Sequence, residues 1–160
     1  MAKAMFGAGC FWGVETAFRR VRGVTNVTVG YSGGNLEEPT YEKVCTGMTG
    51  HAEVVLVEYD EKKVTFDELM AVFFQIHDAT QVDRQGPDMG TQYRSAIFTY
   101  DDDQAAAARS MKDALGEKSP RPLATEITPA STFWPAEDYH QQYDERRMAA
   151  SARLFGGWKR

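Results

Sequence analysis

The stretch AKAMFGAGCFWGVETAFRRVRGVTNVTVGYSGG, residues 2–34, sets the start of the fold. Its apolar opening at residues 3–6 is a short strand, and Gly7-Ala8-Gly9 breaks it. From Phe11 onward Val14, Phe18 and Val21 recur on one face of a helix that Gly23 closes. Val27, Val29 and Tyr31 then alternate with Asn26, Thr28 and Gly30, the pattern of a half-buried strand that stops at Gly33-Gly34. Strand, helix and strand follow one another with almost no linker.

Working outward, residues 52–57 are almost continuously apolar, the mark of a strand covered on both faces. The two-residue period puts Glu53 on the same side as Val55 and Val57, a costly place for a carboxylate. Thr65 and Glu68 have capping-box spacing ahead of Leu69, Met70, Phe73 and Ile76, which predicts a helix over 66–77. A loop with Gly and Pro spans 78–91. Residues 97–100 form a strand, 104–115 an Ala-rich helix stopped by Gly116, and 124–128 a further strand that Pro129 ends. The order β-α-β-β-α-β predicts an α+β fold of the ferredoxin-like, split βαβ kind: two layers around a central mixed sheet. Beyond Trp134 come one C-terminal helix and a tail.

A chain of 160 residues, 42% hydrophobic, suffices for one substantial core, and no repeat or linker divides it, so residues 1–160 are expected to form a single domain. The net charge of -5 is modest and the acidic residues are scattered, which argues against nucleic acid as a partner. No stretch reaches transmembrane length and the N-terminus lacks a secretory pattern, so a cytoplasmic protein away from the membrane is expected. Nothing demands more than a monomer. Two cysteines are too few for a disulfide scaffold, and a reducing compartment keeps them as thiols.

Cys10 stands between Gly9 and the start of an apolar helix, where unpaired N–H groups and the helix dipole favour a thiolate and predict a lowered thiol pKa. Position alone fits a nucleophile and a small packed thiol equally. Phe11 and Trp12 add two large aromatics beside the sulfur, and glycines at 7, 9 and 13 allow close backbone approach. Phe11 lies on the apolar stripe of the helix. Trp12 lies off it and needs another surface, which a pocket wall beside the sulfur would supply. His51, His77 and His140 show no zinc-ligand spacing with Cys45 or Asp78, so polar structural roles and no metal are expected.

Gly9-Cys10-Phe11-Trp12-Gly13 resembles the signature of the peptide methionine sulfoxide reductase A family. The resemblance continues in order through Gly30-Tyr31-Ser32-Gly33-Gly34, Pro39-Thr40-Tyr41 and Thr49-Gly50-His51-Ala52-Glu53. It extends to His77-Asp78, Arg84-Gln85-Gly86, Asp88, residues 90–97, Ala136-Glu137-Asp138 and His140-Gln141-Gln142-Tyr143. It implies an enzyme that reduces methionine S-sulfoxide, free or in oxidised proteins, with Cys10 attacking sulfur and passing through a sulfenic acid. Glu53 would be the proton donor, and burial on an apolar strand is what raises a carboxyl pKa enough for that task. Tyr41 and Tyr93 match the family's hydroxyl donors to the sulfoxide oxygen, Asp88 an active-site position, and Phe11 and Trp12 the pocket for the S-methyl group.

The chain departs from the family in its tail. Residues 144–160 hold no cysteine, whereas many members keep recycling cysteines there. Cys45 is the other thiol, to be read as a buried structural residue or as a resolving partner of Cys10. The favoured route returns the sulfenic acid to the thiol with an external reductant, thioredoxin, glutaredoxin or glutathione, and no bound cofactor. The competing readings are a thiol peroxidase that makes the same sulfenic acid, and a non-catalytic binder of oxidised peptides.

Overall fold

The computed structural model describes residues 1–155. In chain order its elements are β1 (Ala2–Ala8), α1 (Phe11–Arg19), β2 (Val24–Ser32), α2 (Tyr41–Cys45), β3 (Ala52–Tyr59), α3 (Phe66–Gln75), β4 (Arg84–Gln85) and β5 (Asp88–Met89). There follow β6 (Ser95–Thr99), α4 (Asp102–Lys118), β7 (Glu126–Pro129), β8 (Trp134–Pro135) and α5 (Tyr143–Phe155). Residues 156–160 of the expected tail lie outside the described residues.

The fold is α+β, as expected, around one six-stranded sheet in the order β7-β6-β1-β3-β2-β8. β1 and β2 each pair antiparallel with β3, which therefore sits between the two strands joined by α1. β6 pairs antiparallel with β1 and parallel with β7, and that last pair makes the sheet mixed. A strand inserted between the two strands of a crossover is the split βαβ connection.

Alternation along the strands builds two unequal cores. Ala4, Phe6, Val27, Val29, Val55 and Val57 face α1 and α3, whose Phe11, Phe18, Leu69 and Phe73 complete the larger cluster. Phe6 is its hub, stacked on Phe18 at 5.1 Å and on Phe73 at 5.2 Å between ring centroids. Met5, Ala52, Val54, Ala96 and Phe98 point to the other face, where Ala130 and Phe133 cover them. The expected capping box is present: Thr65 takes the Glu68 N–H and Glu68 the Thr65 N–H.

Three expected helix ends are corrected: α1 ends at Arg19, so Val21 and Gly23 lie in the turn after it. Gly116 lies inside α4, which continues to Lys118. One Gly costs a long helix only about 1 kcal/mol, whereas Pro120 forces Ser119 into extended backbone (ψ 137°) and makes the real stop. α3 ends at Gln75 rather than at 77, because the His77 ring takes the Phe73 carbonyl (Nδ1 to O 2.6 Å) that a further helical turn would use. The expected loop at 78–91 contains the small β4–β5 hairpin, and α2 is an element too short for sequence periodicity to show.

Replacing Phe6 with Ala removes the hub from a closed stack and is expected to cost about 3–5 kcal/mol. Urea unfolding should show a lower midpoint with little change in slope.

Candidate active site

Cys10 is set by the turn that joins β1 to α1. Gly9 has φ +98°, and a Cβ there would come within 2.8 Å of the Gln85 side chain, so only glycine lets the strand turn here. Cys10 follows as the N-cap of α1, half-buried, without a side-chain hydrogen bond to the helix start. Gly7 packs its backbone near Glu53 and Arg94, but Gly13 faces open space, so the close approach expected there does not occur.

Glu53 comes from β3, 1% exposed, on the face shared with Val55 and Val57. Its Oε1 accepts the Phe11 N–H at 3.1 Å, while its buried Oε2 has no partner among the described residues. Burial pushes the carboxyl up to about 8, helped by the Asp88 carboxylate and opposed by the Phe11 N–H. At neutral pH the group holds a proton. The expected lowering of the Cys10 thiol is overturned: burial pushes it up to about 12, and the charges of Glu53, Asp88 and Asp144 act in the same direction. The Trp12 N–H opposes this shift, but one donor at a helix start does not outweigh the loss of water.

The remaining expected residues arrive on separate elements. Tyr41 opens α2, where the Thr40 side chain caps the helix and Glu137 Oε2 accepts the Tyr41 N–H at 3.0 Å. The other oxygen of Glu137 accepts the Tyr31 hydroxyl at 2.8 Å. Tyr93 ends a single 3-10 turn, Thr91–Tyr93, and Asp88 opens β5. Burial raises both phenols, Tyr93 to about 12; the Glu53 carboxylate adds to the rise at both, and Asp88 and Cys10 at Tyr93. Cys45 is exposed rather than a buried structural thiol, and its sulfur faces the Tyr41 hydroxyl.

The two aromatics beside Cys10 part company. Phe11, 1% exposed, turns into the large core against Tyr31. Trp12 stays half-buried, stacked on Tyr143 with ring centroids 3.8 Å apart, and donates its indole N–H to His140 Nδ1 at 3.0 Å. Phe11 thus belongs to the core, and Trp12 stays partly open to solvent next to Cys10.

A family model described as peptide methionine sulfoxide reductase matches residues 2–154. The chain belongs to that family. A peptide methionine sulfoxide reductase from Acidobacterium capsulatum is 51% identical over 96% of this chain and all (100%) of its own. Methionine sulfoxide reductase A of Corynebacterium diphtheriae, a solved structure, superposes with TM-score 0.88 at 42% identity, covering 91% of this chain and 74% of that one. Mxr1 from Saccharomyces cerevisiae in complex with Trx2 superposes with TM-score 0.64 at 28% identity over 89% of this chain and 84% of its own.

In this reductase the histidines serve polar contacts. His51 Nδ1 accepts the Gly34 N–H and its Nε2 faces the Leu36 carbonyl at 2.7 Å, while His77 bridges Phe73 and Ser95. Among the described residues no cluster of three or more His, Cys, Asp or Glu is placed to hold a metal, and no helix is long and apolar enough to cross a membrane. Glu137 and Tyr143 stand in the sequence as motif letters without a task, and His140 with only an expected polar structural role. Their signal lies in tertiary contacts alone.

Asp88→Asn removes a negative charge that raises both Cys10 and Glu53. Both pKa values should therefore fall in that variant. The rate of Cys10 alkylation by iodoacetamide against pH, and a carboxyl carbon NMR titration of Glu53, would check the two shifts; an upward or absent shift contradicts the arrangement.

Proposed function

We propose that Cys10 Sγ reduces methionine sulfoxide, with Glu53 as the acid and residues 1–160 acting as one catalytic unit. The observation that carries this reading is the buried, protonated Glu53, tied to the first turn of the helix that Cys10 caps and left with one unpartnered oxygen. A sulfoxide oxygen leaves sulfur only when a proton arrives, and a carboxyl poised near neutrality is suited to supply it.

In the reaction, the Glu53 proton passes to the sulfoxide oxygen as Sγ bonds to the substrate sulfur. The Cys10 thiol proton goes to the Glu53 carboxylate and restores the acid. The S–O bond and the bond between Sγ and the substrate sulfur then break, the hydroxyl is taken up by Sγ, and methionine departs. The substrate sulfur gains two electrons and Cys10 loses them as a sulfenic acid. The raised Cys10 thiol fits this order, since it gives up its proton during attack rather than before. Tyr41 and Tyr93, both held as neutral phenols, can donate to the oxygen without bringing a charge. The Trp12 ring would receive the S-methyl group, Phe11 would support it from the core, and Asp88 would order the site through its charge.

An external dithiol completes the cycle by attacking the sulfenic acid and then its own mixed disulfide with Cys10. The Trx2 complex of the yeast relative supports a donor of the thioredoxin type. A reducing compartment such as the cytoplasm suits the same route. Cys45 is exposed and stands by Tyr41, so it is free to be oxidised on its own.

Reduced protein mixed with excess methionine sulfoxide and no reductant should form about one methionine per chain, in line with a single sulfenic acid. Cys10→Ser should form none and Cys45→Ser the full amount, and peptide mass spectrometry should find no Cys10–Cys45 disulfide. Glu53→Gln should slow this single turnover by about 10²–10⁴-fold. The wild-type rate should fall as pH rises through about 8, where Glu53 loses its proton, and the variant should not follow that fall. Hydrogen peroxide that oxidises Cys10 faster than the sulfoxide does would favour a peroxidase instead.

A further inference from the structure

His140 is 0% exposed, packed between the Tyr41 ring at 4.4 Å, the Phe11 ring at 5.2 Å and the Tyr139 ring at 4.1 Å. A phenyl ring would fill such a place without burying a polar atom. The imidazole buries two. Nδ1 accepts the Trp12 indole N–H at 3.0 Å, and because an indole can only donate, the imidazole proton must sit on Nε2. Nε2 has no partner among the described residues, a standing cost for a buried donor. What the histidine supplies that phenylalanine would not is the acceptor at Nδ1.

We infer that His140 is a positioning residue for sulfoxide binding: through Nδ1 it locks the Trp12 indole in the plane that forms the methyl-facing wall beside Cys10. Tyr143 holds the same ring by stacking, 3.8 Å between centroids and 10° between planes, but stacking lets an indole slide and turn within its plane. The directional N–H bond removes that freedom. The inference rests on the reading of Trp12 as the wall that the substrate methyl group meets. A wall that contacts the methyl group alike before and during attack should act on binding and leave the chemical step alone.

The test is single-turnover methionine formation by full-length reduced protein across methionine sulfoxide concentrations, which yields a half-saturation value and a limiting rate free of recycling. His140→Phe should raise half-saturation about tenfold, the scale of a mislaid methyl contact, with the limiting rate little changed. His140→Asn, whose amide oxygen stands where Nδ1 stood, should recover most of that loss. His140→Gln, with its acceptor reaching to the Nε2 position, should not. In a Trp12→Phe background, which has no indole donor, His140→Phe should add nothing further.

A wild-type half-saturation for His140→Phe, an Asn variant as impaired as the Gln variant, or effects that multiply in the double mutant would each overturn the inference. Should the Phe variant fail to fold, the order of Asn against Gln decides. Normal binding by Trp12→Phe would instead overturn the reading of Trp12, and a wild-type protein that forms no methionine would overturn the reaction itself.

Discussion

The hydrogen bond from the Phe11 N–H to Glu53 Oε1 resolves two costs at once, and the site is organised around it. The first N–H groups of a helix have no partner within the helix, and α1 begins in the protein interior. A carboxyl 1% exposed among valines has lost its water and would lose several kcal/mol as an unpaired anion. Joining them gives the helix an acceptor and the acid a fixed orientation. Since Cys10 immediately precedes Phe11, the same bond brings nucleophile and acid side by side. β3, flanked on both sides by antiparallel partners, is a rigid support for the pair.

Burial has opposite uses at the two groups. At Glu53 it retains a proton that the substrate oxygen needs; at Cys10 it retains a proton that the attack must release. Both groups are therefore neutral at rest. A thiol that keeps its proton reacts slowly with oxidants at large, because the thiolate is the nucleophile. In the proposed reaction a sulfoxide differs from them by giving the Glu53 proton a destination, which frees the carboxylate to accept the thiol proton. Nucleophile and acid are thus activated by the same event.

Much of this was legible locally. The two-residue period of β3 placed Glu53 among Val55 and Val57, and Thr65 with Glu68 marked the start of α3 through contacts within one turn. The resemblance motifs marked Tyr41, Asp88 and Tyr93 before any contact was known. Of what failed, the thiol depended on neighbours remote in the chain, and the rest on weak local signals. The Cys10 thiol was misjudged because the helix start is visible at residues 9–13, whereas the desolvating shell and the charges of Asp88 and Asp144 come from later elements. Cys45 could be placed neither in nor out of the core, since α2 spans a single turn with no periodicity to read. Gly116 misled because a glycine is a weak stop and the stronger one, Pro120, stood just beyond it.

The C-terminal segment shows how a motif can matter without touching the reaction. β8 adds to the edge of the sheet at Gly30 and Tyr31, where a Cβ on residue 30 would stand 2.4 Å from the Trp134 carbonyl. Glycine at 30 is therefore what admits the segment. Beyond β8, Ala136 donates to the Val29 carbonyl, and the Gln141 amide continues the ladder with its side chain, accepting from Val29 N–H at 3.0 Å and donating to Val29 O at 2.9 Å. An edge strand left open invites pairing with other chains, and this segment closes it. Gln142 then turns at φ 52°, with its N–H on the buried Glu15 carboxylate, and the chain enters α5 across Trp12. Sealing the edge of β2 and delivering Glu137, His140 and Tyr143 to the site are consequences of one path. That path is what holds Tyr41 through Glu137 and Trp12 through His140 and Tyr143.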